Sequence, residues 1–157
     1  MNSLDDIFDA QIAFRSRPNP SKARFRLTWR IPILLLMLEV GSKKGRSSIA
    51  RLHVVNSILI CSSSADELLD RLSMGVPDMI FPLRVEPSLI RTIELCAGYR
   101  LMSLQNGNRV ILEPAGQSFA QKKVMSQDLF LRERGVLART QRLITEALAS
   151  SIVKGKA

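Results

Sequence analysis

Lysine and arginine are the functional residue types that cluster most strongly in this sequence. Ten lysines and arginines fall between residues 15 and 51, and Glu39 is the only acidic residue among them. This segment therefore carries the whole formal charge excess of +9 of the 157-residue chain. Such a segment is typical of a contact with a polyanion or with an acidic protein surface, and a solvated basic arm is the alternative.

The turn GSKKGR, at residues 41–46, places part of this charge where side chains project freely. We predict a contact with a polyanion or a partner protein at this turn and one helical turn beyond it. The residues of this predicted contact are Lys43, Lys44, Arg46 and Arg51. Because the charge lies on a linker and a helix turn, we expect contact with a nucleic-acid backbone or with an acidic partner rather than readout of a base sequence.

Groups that could perform catalysis are scarce. His53 is the only histidine, and it lies eight residues from Cys61, about two helical turns and too far for a hydrogen bond. The turn GSKKGR lacks the spacing and the final Gly-Lys-Ser/Thr of a phosphate-binding loop. Cys61 and Cys96 both lie in apolar patterns and are predicted to be small core residues. We therefore expect a non-enzymatic protein with no catalytic residues, no cofactor and no metal site.

A helix, a β-hairpin and a second helix are predicted between residues 87 and 119. Pro87 suits the first turn of a helix, Gly98 its end, and Pro114 the start of the next helix. Apolar stretches flank Asn106-Gly107, a dipeptide that tolerates positive φ at both centres of a type I′ turn. The pattern is that of a winged helix. Its predicted wing residues are Arg100, Asn106, Gly107, Asn108 and Arg109.

Two apolar helices are predicted ahead of this unit, over residues 25–40 and 49–62, and Ser47 or Ser48 can cap the second. In the second helix an apolar stripe is predicted to face inward, which leaves Arg51, His53 and Asn56 for the outer face. SADE at residues 64–67 predicts a capping box for a short helix that ends at Gly75. The segments MIF and LRV, between residues 79 and 85, could form short strands.

These elements predict a mainly α fold with a small β-hairpin, in which a winged-helix core carries N- and C-terminal helical extensions. We expect an N-terminal docking segment and linker at residues 1–24, the core at 25–125 and a C-terminal helical extension at 126–157. That extension is predicted as one helical stretch interrupted at Gly135, and its apolar stripe packs either on a partner or on the same domain. The predicted core includes Leu34, Leu35, Leu38, Leu52, Val55, Leu59, Ile90, Ile93 and Leu112.

Two segments resemble a known family. Residues 30–72, with LHVVN at 52–56, resemble the helix, basic turn and LHVLNWAL-type helix of the middle components of bacterial ABC-three-component systems. Residues 81–119 are similar to the family's continuation: an extended segment, a helix, a small wing and an LTPAG-like entry into the next helix. Glu113 stands where the family usually has a threonine N-cap. The family includes the accessory subunit of Lamassu anti-phage defence.

The resemblance implies a winged-helix adaptor bound to an SMC-like coiled-coil ATPase subunit and to a separate effector subunit, such as a nuclease. It also implies that any DNA contact is non-specific and made through the complex, and it transfers no catalytic residue. A winged-helix transcription regulator is the alternative. The helix before the wing favours the adaptor, because Arg91 is offset by Glu94 and follows Glu86, which leaves little for reading bases.

The start of the chain and its longest apolar run bear on localisation. Asp5, Asp6 and Asp9 occupy the first residues, where a secretion signal would be basic. The apolar run IPILLLML, at residues 31–38, is too short to span a bilayer. We therefore expect a cytoplasmic protein without a membrane partner.

Overall fold

A computed structural model describes residues 26–61, 64–75 and 81–155. This part of the chain is mainly helical and contains a small three-stranded antiparallel sheet. The helices are α1 (Leu27–Glu39), α2 (Ile49–Ile60), α3 (Ala65–Ser73), α4 (Pro87–Gly98), α5 (Pro114–Phe119), α6 (Leu131–Leu143) and α7 (Glu146–Val153). The strands are β1 (Arg46–Ser48), β2 (Met102–Gln105) and β3 (Arg109–Leu112). The predicted N-terminal docking segment and linker, residues 1–24, lie outside the described residues.

The order of the elements is that of a winged helix with an inserted helix. A first helix, a short strand and a second helix precede α4, and the β2–β3 hairpin follows α4 as the wing. In the sheet, β3 lies between β1 and β2 and pairs antiparallel with both. The predicted fold class, mainly α with a small β-hairpin, is therefore confirmed.

The strand β1 is the element that sequence reasoning missed, because residues 41–46 were interpreted as a turn only. Three residues are too few to show the alternating apolar pattern of a strand. The pairing with β3 identifies it instead: Ser47 lies opposite Val110, and both side chains are buried in the core. The prediction of Ser48 as the cap of α2 is confirmed, since its side chain accepts a hydrogen bond from the backbone N–H of Arg51.

The core is built around α1 and α2. Of the predicted core residues, Ile90 and Leu112 are only partly buried and pack against its edge; the other seven are buried. The outward assignment of Arg51, His53 and Asn56 is wrong, since their exposed fractions are 4%, 7% and 2%. The physical reason is that β1, α3, α6 and α7 all pack against α2, so that it is covered on nearly every side.

The C-terminal stretch forms two helices, and the chain breaks between them at Ile144 and Thr145 rather than at Gly135. Gly135 lies inside α6 without interrupting it. Ile144 is extended, and Thr145 caps α7 by accepting a hydrogen bond from the backbone N–H of Leu148. Both helices pack on the same domain. Their buried residues are Val136, Leu137, Thr140, Ala149 and Ile152.

Two further local predictions differ from the structure. Ser64 occupies the N-cap of α3, but its hydroxyl donates to the carbonyl of Cys61 and forms no capping box. Residues 83–85 are not a strand, and the segment MIF lies mostly outside the described residues. The predicted end of α4 at Gly98 is confirmed, and Arg100, two residues further on, is left-handed with φ of 56°.

Candidate anion-binding site

The wing is held against the start of α2. Asn106 and Gly107 have φ of 50° and 69°, and the backbone N–H of Asn108 donates to the Gln105 carbonyl at 3.2 Å. The type I′ turn at Asn106-Gly107 is thus confirmed. The Asn108 carbonyl accepts a hydrogen bond from the N–H of Ile49 at 2.8 Å, so the wing tip has a fixed position relative to α2.

A cleft of about 550 Å³ lies where β1 and β3 meet the junction of α6 and α7. Five of its lining residues are cationic, and Glu146 is the only acidic one. The cationic residues are Lys43, Arg46, Arg51, Arg109 and Arg142. We call this concavity the basic cleft. It contains two residues of the predicted polyanion contact at its rim, one wing residue, and one arginine from the C-terminal helices.

The register of the sheet brings the strand arginines to the cleft. Arg46 lies opposite Ile111 and Ser48 lies opposite Arg109. Since alternate residues of a strand share a face, Arg46 and Arg109 project from the same outer face of the sheet. Ser47 and Val110, on the other face, are buried in the core. Two residues that are 63 positions apart therefore carry their charges to one surface.

Arg51 forms the floor of the basic cleft rather than part of an exposed patch, which corrects the prediction made for it. Its Nε donates to the carbonyl of Ile144 at 2.7 Å, and its Nη2 donates to the carbonyl of Gly41 at 2.6 Å. A longer contact of 3.4 Å joins Nη2 to the Thr140 carbonyl. These carbonyls lie at the C-terminal ends of α1 and α6, where helices leave acceptors without partners and carry partial negative charge. Arg51 therefore joins two helix ends.

Burial lowers the pKa of the Arg51 guanidinium, and the nearby Glu146 carboxylate opposes that shift. An arginine starts from a pKa so high that it keeps its charge in proteins. Glu146 is itself engaged, because its Oε1 accepts a hydrogen bond from the backbone N–H of Ser48 at 3.1 Å. The floor of the cleft is thus a permanent cation that donates to three backbone carbonyls and to the Ser47 hydroxyl.

The rim of the cleft consists of cations that pair with no acidic side chain of the described residues. Lys43, Arg46, Arg109 and Arg142 are exposed, and none of their side chains makes a hydrogen bond or ion pair with a described residue. Arg139, one turn before Arg142 on α6, differs because it pairs with Asp66 and Asp70 of α3.

The other predicted contact and wing residues lie beside the cleft or away from it. Lys44 is exposed and left-handed, with φ of 57°, and does not line the cleft. Asn106, Gly107 and Asn108 form the exposed wing tip. Arg100 is exposed at the base of the wing, where it lines a separate shallow depression with Leu104 and Pro114.

Arg142 was missed by sequence reasoning, and no local pattern points to it. Its position depends on a contact between distant segments, in which the Gln141 side chain donates to the Ser42 carbonyl at 2.9 Å. The only local signal concerns the helix break that follows Arg142, because a threonine ahead of Glu146 predicts the start of a new helix.

Two other titratable groups with shifted pKa values, His53 and Cys96, lie outside the lining of the basic cleft. Burial lowers the pKa of His53, the Glu86 carboxylate opposes the shift, and the Nδ1 of His53 has no hydrogen-bond partner among the described residues. Burial raises the pKa of the Cys96 thiol to about 11, so it is protonated at neutral pH. No group of three or more potential metal ligands occurs within residues 26–61, 64–75 and 81–155.

Two further observations complete the description of the surface. On α4 the exposed charged side chains are Arg91 and Glu94, one of each sign. Within the described part of the chain, no helix combines the length and apolar character needed to cross a bilayer. Comparison of the chain with protein-family models, with curated proteins and with solved structures gave no match.

Proposed function

We propose that this chain is a non-catalytic winged-helix adaptor subunit that links an SMC-like coiled-coil ATPase to an effector in a cytoplasmic anti-phage defence complex. The observation that carries the proposal is the surface of α4. In a winged helix that reads DNA, the helix before the wing enters the major groove and presents basic and polar side chains to base edges. Here α4 presents Arg91 and Glu94, whose charges cancel.

The attachment of α4 to α1 also supports a scaffold role. Arg30 of α1 donates through Nη2 to the Glu86 carboxylate at 2.8 Å, directly ahead of α4. The side chains are only 6% and 16% exposed, so this pair holds the start of α4 against α1. A helix anchored in this way can present a fixed surface to a partner protein.

Exposed apolar residues at the wing end of α4 suit a protein partner. Tyr99 is 70% exposed and Leu104 is 44% exposed. Tyr99 directly precedes Arg100 in the chain, and Leu104 lines the same depression as Arg100. Tyr and Arg are enriched in protein interfaces. The resemblance of residues 30–72 and 81–119 to the middle components of ABC-three-component systems supports an ATPase as that partner.

Co-purification tests the proposal. The tagged chain is expressed together with the proteins encoded by its neighbouring genes, among which we expect a long coiled-coil ATPase and an effector, and the assembly is measured by size-exclusion chromatography. We expect one complex with all three subunits. Changing both Tyr99 and Leu104 to serine should remove the ATPase, whereas Leu131→Ser, at a leucine that is 60% exposed on α6, should leave the complex intact.

A winged-helix transcription regulator is the second candidate, and the position of Arg109 favours it. This wing residue contributes to the basic cleft, so a wing contact with DNA is available. A dimeric regulator binds a short palindrome with clear preference over random DNA at physiological salt. Such a preference, together with failure to co-purify with an ATPase, would contradict the adaptor proposal.

A further inference from the structure

We propose that the basic cleft holds the phosphodiester backbone of a nucleic acid, without reading its sequence. The binding surface is the outer face of β1 and β3 together with the end of α6, and α4 takes no part in it. This inference concerns the isolated chain and does not depend on the adaptor role.

The first argument is the charge left unpaired at the cleft. The four rim cations approach one concave surface from the turn before β1, from β1, from β3 and from α6, and no described acidic side chain pairs with them. Gathering like charges in this way raises the energy of the free protein, and a bound polyanion removes that repulsion. Glu146, the one acid of the lining, is already hydrogen-bonded to the N–H of Ser48.

The second argument is that the walls of the cleft are fixed before any ligand arrives. Arg51 joins the ends of α1 and α6 through the carbonyls of Gly41 and Ile144. The Gln141 side chain joins α6 to the Ser42 carbonyl, and the strand pairing fixes Arg46 beside Arg109. Because the backbone segments that carry the rim cations are already fixed, binding does not have to order them, which favours affinity.

The third argument concerns the chemistry of the ligand. Three of the four rim cations are arginines, whose planar guanidinium group matches phosphate oxygens through two parallel hydrogen bonds. A volume of about 550 Å³ exceeds the space that one phosphate needs. None of the described aromatic residues lines the cleft, so the lining offers no platform on which a base could stack. These features fit the backbone of a nucleic acid better than a single nucleotide.

Polar residues beside the cleft extend the surface along which a nucleic-acid strand can lie. Lys44 lies next to Lys43 at one side, and Asn106 and Asn108 flank the wing tip ahead of Arg109. Lysine and asparagine side chains are common donors to phosphate oxygens. A backbone that occupies the cleft can therefore continue along the wing without meeting a described acidic residue of that hairpin.

The test compares two triple variants of the full chain that lose the same charge. The cleft variant carries Arg46→Ala, Arg109→Ala and Arg142→Ala. The control variant carries Arg91→Ala, Lys122→Ala and Lys123→Ala, which are exposed residues outside the cleft. Fluorescence anisotropy measures affinity against salt for a labelled 12-nucleotide single strand, two unrelated labelled duplexes and a labelled glutamate 12-mer, and competition with the labelled single strand measures the affinity of inorganic tripolyphosphate. Thermal unfolding confirms that both variants are folded.

We expect the wild-type chain to bind the nucleic acids with a Kd on the order of 1–100 μM at physiological salt and without preference between the duplexes. The cleft variant should bind roughly tenfold or more weakly, with a salt slope lower by about three, one for each contact removed. The control variant should keep most of the affinity and slope.

Several results would overturn the inference. Equal losses in the two variants would show that net charge alone drives binding. A larger loss in the control variant would move the contact away from the cleft. Tighter binding of the glutamate peptide would identify an acidic protein as the ligand, and tighter binding of tripolyphosphate would identify a free phosphate compound. Absence of nucleic-acid binding by the wild-type chain would exclude the site altogether.

Discussion

Arg51 illustrates how the position of a single charged residue decides its role. In the sequence it belongs to the basic segment and follows Arg46 by about one helical turn. In the folded chain it is 4% exposed, and its guanidinium donates to backbone carbonyls from two other helices. The same charge that would attract a ligand at the surface here holds the floor of the basic cleft in place.

Replacing Arg51 with methionine tests this structural role. The variant leaves the carbonyls of Gly41 and Ile144 without their donor, and hydrogen bonds to charged groups contribute about 1.5–3 kcal/mol each. We expect the free energy of unfolding to fall by about 2–4 kcal/mol in urea denaturation. Arg46→Met, at an exposed residue without a described partner, should change it by less than about 0.5 kcal/mol. Similar losses in both variants would contradict the structural role.

His53 predicts a dependence of stability on pH. Burial holds its folded-state pKa below the ordinary value near 6.5, so the unfolded chain binds a proton more readily than the folded one. The contribution of His53 to stability is therefore complete above about pH 6.5 and is lost as the pH falls below it. Between pH 7.5 and 5.5 the free energy of unfolding should decrease by up to about 1.4 kcal/mol. This is the limit because the unfolded chain gains its proton only below about pH 6.5, and one proton over one pH unit contributes about 1.4 kcal/mol.

The measurement is urea denaturation at several pH values for the wild type and for His53→Leu. Because His53 is the only histidine, its replacement should flatten the profile in this range. An unchanged profile in the variant would show that other groups cause the effect.

Among the elements, the wing and the C-terminal helices differ in how far local sequence specifies them. Asn106-Gly107 specifies the wing turn, and Pro114, at the first turn of α5, specifies where the wing ends. Gly116, in the motif EPAG at residues 113–116, has a tertiary role instead, since a Cβ there would collide with the carbonyl oxygen of Leu101. The motif therefore combines a local helix start with a close approach between two segments.

Two glycine-to-alanine changes test the element boundaries in opposite directions. Gly107 has φ of 69° and open space around it, so alanine meets no neighbour but adopts a left-handed conformation that costs about 1–2 kcal/mol. Gly135 lies within α6, also with open space, and alanine should stabilise the helix by about 0.5–1 kcal/mol. Thermal unfolding measures both. Destabilisation by Gly135→Ala would mean that the chain breaks there, as the sequence suggested.

For the whole molecule, the C-terminal helices complete the core. Leu137 of α6 is fully buried, and α6 and α7 both contact α2. The same two helices contribute Arg142 and Glu146 to the basic cleft, which would otherwise lack one wall. The extension that the sequence predicts thus supplies part of both the core and the site.

Truncation of Leu137 to alanine tests this integration. Because its side chain is fully buried, the loss of contacts should lower the free energy of unfolding by about 2–5 kcal/mol. Leu131→Ala, at a residue that is 60% exposed on the same helix, should have little effect. If unfolding of the Leu137 variant occurs in two steps, the C-terminal helices form a separate unit rather than part of one core.

By itself, the sequence determined the features that depend on neighbouring residues. Helix α1, helix α4 and the wing were predictable because apolar periodicity, Pro87 and Asn106-Gly107 act within a few residues. The two rim residues Lys43 and Arg46 were predictable as exposed charges for the same reason. Only the tertiary structure decided the rest. The strand β1 exists because it pairs with β3, and Arg51 is buried because the ends of α1 and α6 present carbonyls to it. The basic cleft joins cationic residues up to 99 positions apart, and no local pattern encodes a contact over that separation.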